Sequence, residues 1–445
     1  MAGLAEVSIA SRVEAMRHAT GQAKQVLVIF EQGGISHTDT LDPKPSTNSV
    51  HRSPFNTIDT SVPGVHFTEL LSRTAKVADR LSVIRCMRQP KPNVGNSHPL
   101  GSQYIFSGCD PSGPVVMPDI GSVASQLLGT PARHLPSYVL EGSGEQSKES
   151  RLGFLSASHK AFKIRHGQVS GLKLEDIDSG RFLKRRGLLS NLNIGLLSGG
   201  RSEVQAMESF AEQAEDMLTN PATLAAFDLA SEPDHVRKLY HPPEENRRHR
   251  GEMYLLGRKL IESGVRFVCI NTQWPADGKL WPGGSNMNWD HHDAIYSSDN
   301  TNIKGGGAGA GRYGIGTWPM MPSTDWAFSG LITDMADRGL LEETLVCFVT
   351  EFGRTPKINE RQGRDHWVHA FSMVFAGAGV PGGQIVGETD PNGGYITSSM
   401  AYTVEDYGAT VFAKLGINTA DPVYTPEDRP IFLAKGGRPI PELFT

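Results

Sequence analysis

The sequence has little cysteine and no long hydrophobic run. Four cysteines occur among the 445 residues, and no Cys-x-x-Cys pair is present. Cys86, Cys269 and Cys347 lie inside apolar runs, so we expect buried free thiols and not a disulfide framework. No apolar stretch reaches the length of a bilayer-spanning helix. These features predict a chain without a membrane span and without structural disulfides.

The sequence also has no excess of positive charge. The net charge is −5 and the isoelectric point is about 6.3, with no basic run or basic-aromatic stripe. This composition argues against a nucleic-acid partner. The first 25 residues contain no hydrophobic segment of signal-peptide length, so this sequence carries no recognisable export signal.

Helical patterns followed by short apolar strands recur along the chain. "QVLVIF" (Gln25–Phe30) and "SVIRCM" (Ser82–Met87) are predicted strands, and the stretch between them, "FTELLSRTAKVADRL", has a helical pattern. Later helices are followed at once by the strands "VRFVCIN" and "TLVCFVTE". Repeated units of this kind predict an α/β fold around a mainly parallel sheet. Residues from about 173 to 250 have helical patterns and no convincing strand, which predicts a largely helical insertion or cap.

A glycine-rich stretch, "GGGAGAGRYGIG" (Gly305–Gly316), contains a formal Gly-x-Gly-x-x-Gly. A dinucleotide-binding loop needs a strand before it and a helix after it, and neither is predicted here. We therefore predict a mobile loop or lid, and no dinucleotide cofactor.

Polar residues that follow the predicted strands are the candidates for chemistry, because ligands of open α/β sheets bind at the carboxyl ends of strands. After the first strand, Glu31, His37, Asp39 and Asp42 offer an imidazole and carboxylates suitable as ligands for a divalent ion, and Ser36 is a possible nucleophile. The alternative is a turn in which Asp and Thr side chains only cap the backbone. In "NWDHHDAI", Asp290, His291, His292 and Asp293 combine carboxylates with imidazoles, as first-row metals prefer, and we expect at most one of the two adjacent histidines to bind an ion.

The stretch "VTEFGRTPKINERQGRDHW" contains the third group. Glu351 ends a strand, where a ligand or base is expected, and Asp365 with His366 is either a ligand pair or a ligand with its orienting acid. Arg354 and Arg364 are suited to holding a phosphate or sulfate. The alternative is an internal ion-pair network of Glu351 with Arg354 and of Asp365 with Arg364.

A fourth segment, "PNVGNSHPLGSQYIFSG", follows the second strand. Ser97 and His98 stand at the start of a predicted helix, where backbone N–H groups favour an anion. Ser97 is therefore either a helix cap or a nucleophile.

Several of these motifs in this order, "GGISHTDTLDPKP", "WDHH", "RGLLEETLVCFVTEFGRTP", "GRDHW" and "GGQIVGETD", resemble the domain of unknown function 1501 family. These are bacterial proteins, abundant in planctomycetes, of the alkaline phosphatase and sulfatase superfamily. The resemblance begins near Lys24 and continues to the end of the chain. It implies a three-layer α/β/α sandwich over residues 24–445 with a mostly parallel central sheet, preceded by an extension over residues 1–23.

The resemblance also implies a chemistry in which divalent metals clamp a phosphate or sulfate ester and activate a nucleophile. By motif, the implied metal-binding residues, including those that only orient a ligand, are His37, Asp39, Asp290, His292, Glu351, Asp365 and His366. Arg354 and Arg364 would hold the anion, with Ser97 or Ser36 as the nucleophile or a metal-bound water in their place. The sequence departs from the superfamily at Phe352, which replaces an expected histidine ligand and cannot bind a metal.

These observations predict a metal-dependent hydrolase of phosphate or sulfate esters, with a small-molecule or saccharide ester as its substrate. The metal would be zinc, manganese, calcium or magnesium. The alternative is a catalytically inactive relative that binds anionic glycans, and it is motivated by Phe352. Family members often carry a twin-arginine leader, so the resemblance favours export, although this sequence shows no such leader.

Overall fold

We describe the fold from a computed structural model of the chain. It describes residues 22–142, 150–165, 167, 178, 180–188, 202–271, 289–296 and 314–444. Residues 305–313, which make up most of the glycine-rich stretch, lie outside the described part, as does nearly all of the N-terminal extension.

A nine-stranded mixed sheet forms the centre of the molecule. Its strand order is β12-β4-β11-β8-β1-β7-β5-β6, and β13 pairs with β4 beside this path. Only β11 runs antiparallel to its two neighbours, so the predicted mostly parallel α/β fold is confirmed. The strands of this sheet are β1 (Gln25–Phe30), β4 (Ser82–Arg88), β5 (Tyr138–Gly142), β6 (Phe162–Ile164), β7 (Phe267–Asn271), β8 (Thr344–Val349), β11 (Phe371–Ala376), β12 (Gln384–Val386) and β13 (Tyr402–Thr403).

Three small two-stranded sheets lie outside the main sheet. They are β2 with β3, β9 with β10, and β14 with β15. Their bounds are β2 (Thr57–Asp59), β3 (His66–Thr68), β9 (Gly353–Arg354), β10 (His366–Trp367), β14 (Val423–Tyr424) and β15 (Pro430–Ile431). The β9–β10 pair joins two parts of one of the predicted motifs, since His366 lies opposite Arg354 and Trp367 opposite Gly353.

Helices cover both faces of the main sheet. The described α-helices are α1 (Pro92–Gly95), α2 (His98–Ser107), α3 (Ile120–Leu128), α4 (Ser202–Thr219), α5 (Pro221–Phe227), α6 (Asp234–Tyr240), α7 (His249–Glu262), α8 (Met321–Asp337) and α9 (Val404–Lys414). Residues 180–188 are also helical. Short 3-10 helices occur at Glu69–Leu71, Thr74–Arg80, Ala157–His159, Leu229–Ser231, Glu245–Arg247, Leu340–Glu342 and Pro441–Leu443.

The core consists of two apolar layers, one on each face of the sheet. On β1, Leu27 and Ile29 belong to the layer under α6, α7 and α8, whereas Val26, Val28 and Phe30 belong to the layer under α2, α3 and α9. Both faces are buried because both carry helices, which explains why the central strands are continuously apolar. All four cysteines are free and buried, as predicted. No helix in the described ranges is long and apolar enough to span a membrane.

One predicted element differs from the structure. The stretch "FTELLSRTAKVADRL" forms the end of β3 and two 3-10 segments, Glu69–Leu71 and Thr74–Arg80, in place of one α-helix. The carboxylate of Asp325 on α8 accepts hydrogen bonds from the backbone N–H groups of Arg73 (2.9 Å) and Thr74 (2.7 Å). A continuous helix would use these two backbone N–H groups for its own hydrogen bonds, but here a tertiary contact with Asp325 binds them.

The predicted helical insertion over about 173–250 is described only in part. Its described residues form helices and contain no strand. Its status as an insertion, and the domain division as a whole, stay predictions.

Candidate metal centre

Two neighbouring strands bring the predicted motifs together. Strands β1 and β8 are parallel and adjacent, so the residues that follow them meet at one edge of the sheet. The backbone N–H of Gly33, after β1, donates to both carboxylate oxygens of Glu351, after β8, at 2.9 and 3.1 Å. The ligand strip, defined here as residues 289–296, packs against this junction. A Cβ added to Gly33 would lie 2.3 Å from the backbone nitrogen of Trp289, so only glycine fits there.

Asp290 is the centre of the side-chain cluster. Its Oδ1 lies 3.2 Å from Nε2 of His98, 3.0 Å from Nε2 of His292 and 3.0 Å from Nε2 of His366. The Nε2 atoms of His292 and His366 are 3.1 Å apart. We call these four residues the Asp290 cluster. Each of the three histidines thus places one ring nitrogen beside the same carboxylate oxygen, although the histidines come from a helix, a loop and a strand.

The opposite nitrogen of each ring is bound to an acceptor that fixes the ring. His98 donates from Nδ1 to Oε1 of Glu351 (2.6 Å). His292 donates from Nδ1 to Oδ1 of Asp365 (2.8 Å), and His366 donates from Nδ1 to the backbone carbonyl of Asn96 (3.1 Å). With each Nδ1 bound to a fixed acceptor, each Nε2 faces Asp290 and would offer its lone pair to a metal once it has lost its proton. This is the arrangement in which proteins present histidine to a metal.

The donor set fits a divalent metal ion. Three imidazole lone pairs and a carboxylate oxygen repel one another at this separation unless positive charge, either protons or a metal, lies among them. His98, Asp290 and His366 each place a ligand atom within 4.8 Å of the other two, a spacing at which three residues could hold one ion. The Nε2 atom of His98 is buried and lies 3.2 Å from Oδ1 of Asp290, so this ring nitrogen is shielded from solvent.

The ionisation of the cluster follows from its charges. Burial lowers the pKa of His98, but its contacts with Asp290 and Glu351 outweigh burial and raise the pKa to about 9. The bond to Asp290 raises the pKa of His292. Burial lowers the pKa of His366. Burial opposes ionisation of Asp290 as well, yet its histidine partners and Arg354 hold its pKa far below the usual range. A metal would replace the protons on these rings.

Glu351 and Asp365 orient histidines. Glu351 is fully buried, and its oxygens accept from the Gly33 N–H, from His98 and from the Thr350 hydroxyl. Asp365 is about half exposed, with 49% of its side chain accessible, and His292 has 27% accessible. The cluster therefore meets solvent on the side of His292 and Asp365, and its opposite side is closed.

The two predicted anion-holding arginines are both buried and engaged. Arg354 donates to the carbonyls of Gly33, Gly34 and Arg364 and to Oδ1 of Asp290 (2.7 Å). Arg364 pairs with Asp39, at 2.9 Å, and donates to the Tyr296 hydroxyl, also at 2.9 Å. The predicted alternative pairs differ from those observed, since Arg354 pairs with Asp290 and Arg364 with Asp39.

The predicted residues after β1 lie in a second buried group. Ser36 donates to Asp39 at 2.5 Å, and Asp39 also binds Arg364 and Tyr296. His37 donates from Nε2 to the carbonyl of Gly393 (2.7 Å). Ser36, His37 and Asp39 therefore bind partners other than the Asp290 cluster.

Ser97 and Phe352 border the cluster. The Ser97 hydroxyl accepts a long bond, 3.4 Å, from the N–H of Leu100 and caps α2, one residue before His98. The ring of Phe352 packs against His98 and His366, with centroid separations of 5.1 and 4.4 Å. Phe352, in the place of an expected ligand, forms an apolar wall beside two of the imidazoles.

His98 is the member of the cluster that the sequence does not predict as a metal ligand. Its sequence context, next to Ser97, predicts the start of a helix. The sequence signal for a ligand at His98 is its position after a strand that reaches the same edge of the sheet. A histidine that only begins a helix can have the same position, so this signal does not identify a metal ligand. Asn96, which fixes His366 through its carbonyl, carries no side-chain signal at all.

One comparison with known proteins identifies the family, and none identifies the activity. The family model described as "Protein of unknown function (DUF1501)" matches residues 23–444. No curated protein matches the sequence.

Several solved structures are similar at low sequence identity. A phosphonate monoester hydrolase from Silicibacter pomeroyi has 10% identity and a TM-score of 0.40, with 95% of this chain and 76% of that chain covered. A sulfatase from Pseudoalteromonas sp. has 12% identity and a TM-score of 0.37, with coverages of 93% and 72%. A protein in the alkaline phosphatase superfamily from Vibrio parahaemolyticus has 9% identity and a TM-score of 0.37, with coverages of 95% and 81%. With TM-scores below 0.5, these similarities support no inference about activity.

Proposed function

Since the chain belongs to the DUF1501 family of proteins of unknown function, its activity has to be inferred from the site itself, and we propose that the Asp290 cluster binds one divalent metal ion and hydrolyses phosphate or sulfate esters. The observation that carries the proposal is the convergence of three Nε2 atoms on one carboxylate oxygen, at 3.0–3.2 Å, with every Nδ1 bound to a fixed acceptor.

The composition of the cluster favours a zinc-like ion. Three imidazoles and one carboxylate suit zinc and other first-row metals, whereas calcium and magnesium prefer sets made of oxygen atoms. When bound, such an ion would act as a Lewis acid on the ester and lower the pKa of a coordinated water. Of the predicted metal-binding residues, Asp290, His292 and His366 are the proposed ligands, joined by His98, whereas Glu351 and Asp365 are proposed to orient them.

The remaining roles follow from position. Phe352 keeps water away from the closed side of the cluster. Ser97 is the proposed nucleophile if a covalent step occurs, because Ser97 directly precedes His98 and the hydrogen bond that its hydroxyl accepts from Leu100 is long, at 3.4 Å. Ser36 is less suited, since it is buried and donates to Asp39.

Arg361 is the proposed partner of the phosphate or sulfate group of the ester, in place of the two predicted arginines. Arg361 is 64% exposed, lies near the open side of the cluster, and pairs with Asp293 at 2.7 Å and more distantly with Asp365 at 4.0 Å. Exposed ion pairs are weak, so an incoming phosphate or sulfate can recruit this guanidinium.

The test is the metal content of protein purified without chelator or metal-affinity tag, followed by zinc titration and a panel of phosphate and sulfate esters. We expect about one equivalent of metal per chain. His98→Ala and His292→Ala should lose most of the metal and the ester turnover, and His235→Ala, which changes an exposed histidine on α6, should keep both.

A protein that takes up no metal would contradict the proposal. In that case, binding of sulfated or phosphorylated glycans without turnover would support the alternative of a catalytically inactive binding protein.

A further inference from the structure

The ligand strip is held by a turn formed by residues 359–365. The N–H of Arg364 donates to the carbonyl of His291 at 2.9 Å. A Cβ added to Gly363 would lie 2.0 Å from the carbonyl oxygen of His292, so the two backbones touch at this point. The turn therefore determines where the strip, and with it His292, lies.

Asn359 connects the turn to the ligand strip through both the oxygen and the nitrogen of its side-chain amide. Its Oδ1 accepts from the N–H groups of Arg361 (3.0 Å) and Gly363 (2.9 Å). Its Nδ2 donates to the carbonyl of His292 (3.0 Å) and to Oδ1 of Asp365 (3.3 Å). One side chain thus closes the turn and also holds both the backbone of His292 and the carboxylate that orients its ring.

We infer that Asn359 is a positioning residue of the metal centre, which acts on His292 through Asp365 and through the His292 carbonyl. The inference rests on the proposed function, because it assumes that His292 binds a metal. The Nδ2 donors are the informative half of the amide, since the Oδ1 bonds serve only the turn. Partners of metal-binding histidines commonly change metal affinity by about 10- to 100-fold when they are altered.

The variant Asn359→Asp separates the two halves of the amide. It keeps an oxygen to accept from the turn, and it replaces the donor by a second oxygen that faces two acceptors, the His292 carbonyl and Asp365. We expect the apo protein to fold and the zinc affinity, measured by competition with a chelator, to fall by about 10- to 100-fold. The visible spectrum of the cobalt-substituted protein should change as well, because His292 would no longer keep its geometry.

Two further variants test the link through Asp365. Asp365→Asn should also weaken zinc binding, since it removes the charge that orients His292. The double variant Asn359→Asp with Asp365→Asn restores a donor and an acceptor between these two positions. We expect it to bind zinc more tightly than Asn359→Asp alone. A purely structural role of Asn359 predicts no such rescue.

Asn418→Asp is the matched control. Asn418 also accepts a turn N–H at Oδ1, from Ala420 (3.1 Å), and donates from Nδ2 to a carboxylate, that of Asp421 (3.0 Å). Among the described residues, Asn418 contacts no member of the Asp290 cluster, so the zinc affinity of Asn418→Asp should equal that of the wild type. An unchanged affinity and cobalt spectrum in Asn359→Asp would overturn the inference and leave the proposed function standing. Failure of the wild type to bind zinc would overturn both.

Discussion

At the scale of single residues, the arginines of one motif differ in their contacts because they differ in burial. Arg354 and Arg364 are fully buried and each is bound to a carboxylate and to carbonyls, so they stabilise the surroundings of the site. Arg361 is the arginine of this motif that keeps most of its side chain in solvent. A guanidinium whose donors are already taken has little capacity for a new anion, and one with free donors has more.

This difference leads to a prediction for Arg361. In Arg361→Gln, the Michaelis constant for a phosphate or sulfate monoester should rise by about tenfold or more, since a charge-assisted hydrogen bond contributes roughly 1.5–3 kcal/mol. The metal content should not change, because Arg361 contacts no member of the Asp290 cluster in the described structure. Steady-state kinetics with elemental analysis measures both quantities. An unchanged Michaelis constant would assign the anion to other groups.

At the scale of elements, buried carboxylates fix helix starts to neighbouring chain segments. Asp119 precedes α3, and its carboxylate accepts from the Tyr138 hydroxyl (3.2 Å), the Ser150 hydroxyl (2.5 Å) and the Arg151 N–H (2.9 Å). Asp325 acts similarly between α8 and the 3-10 segments. In both cases one acid links a helix to a segment from elsewhere in the chain, and burial raises the pKa of both acids.

The raised pKa of Asp119 predicts a pH dependence of stability. Burial raises this pKa from 3.8 to about 6. The folded state therefore holds the proton more tightly than the unfolded state. The stabilisation from this tighter proton binding is complete at pH values below the pKa of Asp119 in the unfolded chain. It is lost as the pH rises through the pKa of Asp119 in the folded protein.

We expect the free energy of unfolding of the wild type, relative to Asp119→Asn, to fall by up to about 3 kcal/mol between pH 4 and pH 7. Urea denaturation at both pH values measures this difference. Asp228→Asn, at an exposed helix cap, is the matched control. A difference that does not vary with pH would show that Asp119 is ionised in the same way in both states.

At the scale of the whole molecule, the cluster joins parts of the chain that lie far apart in sequence. Its members come from the start of α2, from the ligand strip and from β10, and Glu351 joins them from the end of β8. An ion bound by the Asp290 cluster would bind the folded state and not the unfolded chain. Ligand binding of this kind stabilises a protein by mass action.

Zinc at a hundred times its dissociation constant should thus stabilise the wild type by about 2.7 kcal/mol. Differential scanning calorimetry should show a higher melting temperature with zinc than after chelator treatment. The variant His292→Ala should show a much smaller shift. Equal melting temperatures of the wild type with and without zinc would contradict metal binding by the folded state.

Much of this protein could be predicted from its sequence because the signals are local. Apolar runs such as those of β1, β7 and β8, each bounded by polar or glycine residues, predict buried parallel strands. The Asp, Glu and His residues at their ends predict a ligand-binding edge of such a sheet. This signal points to Asp290 and His366, and the family resemblance selects His292 over its neighbour His291.

Only the tertiary structure decided which of these residues meet. It separated Ser36, His37 and Asp39 from the Asp290 cluster, and it added His98 from the start of a helix. It also assigned Arg354 to Asp290 and Arg364 to Asp39, pairs that are 64 and 325 positions apart. Sequence spacing contains no information about such contacts, because they depend on strand order and on the close backbone approaches that Gly33 and Gly363 allow. A residue's type determined the chemistry that it can perform, and the fold determined the partner with which it can perform it.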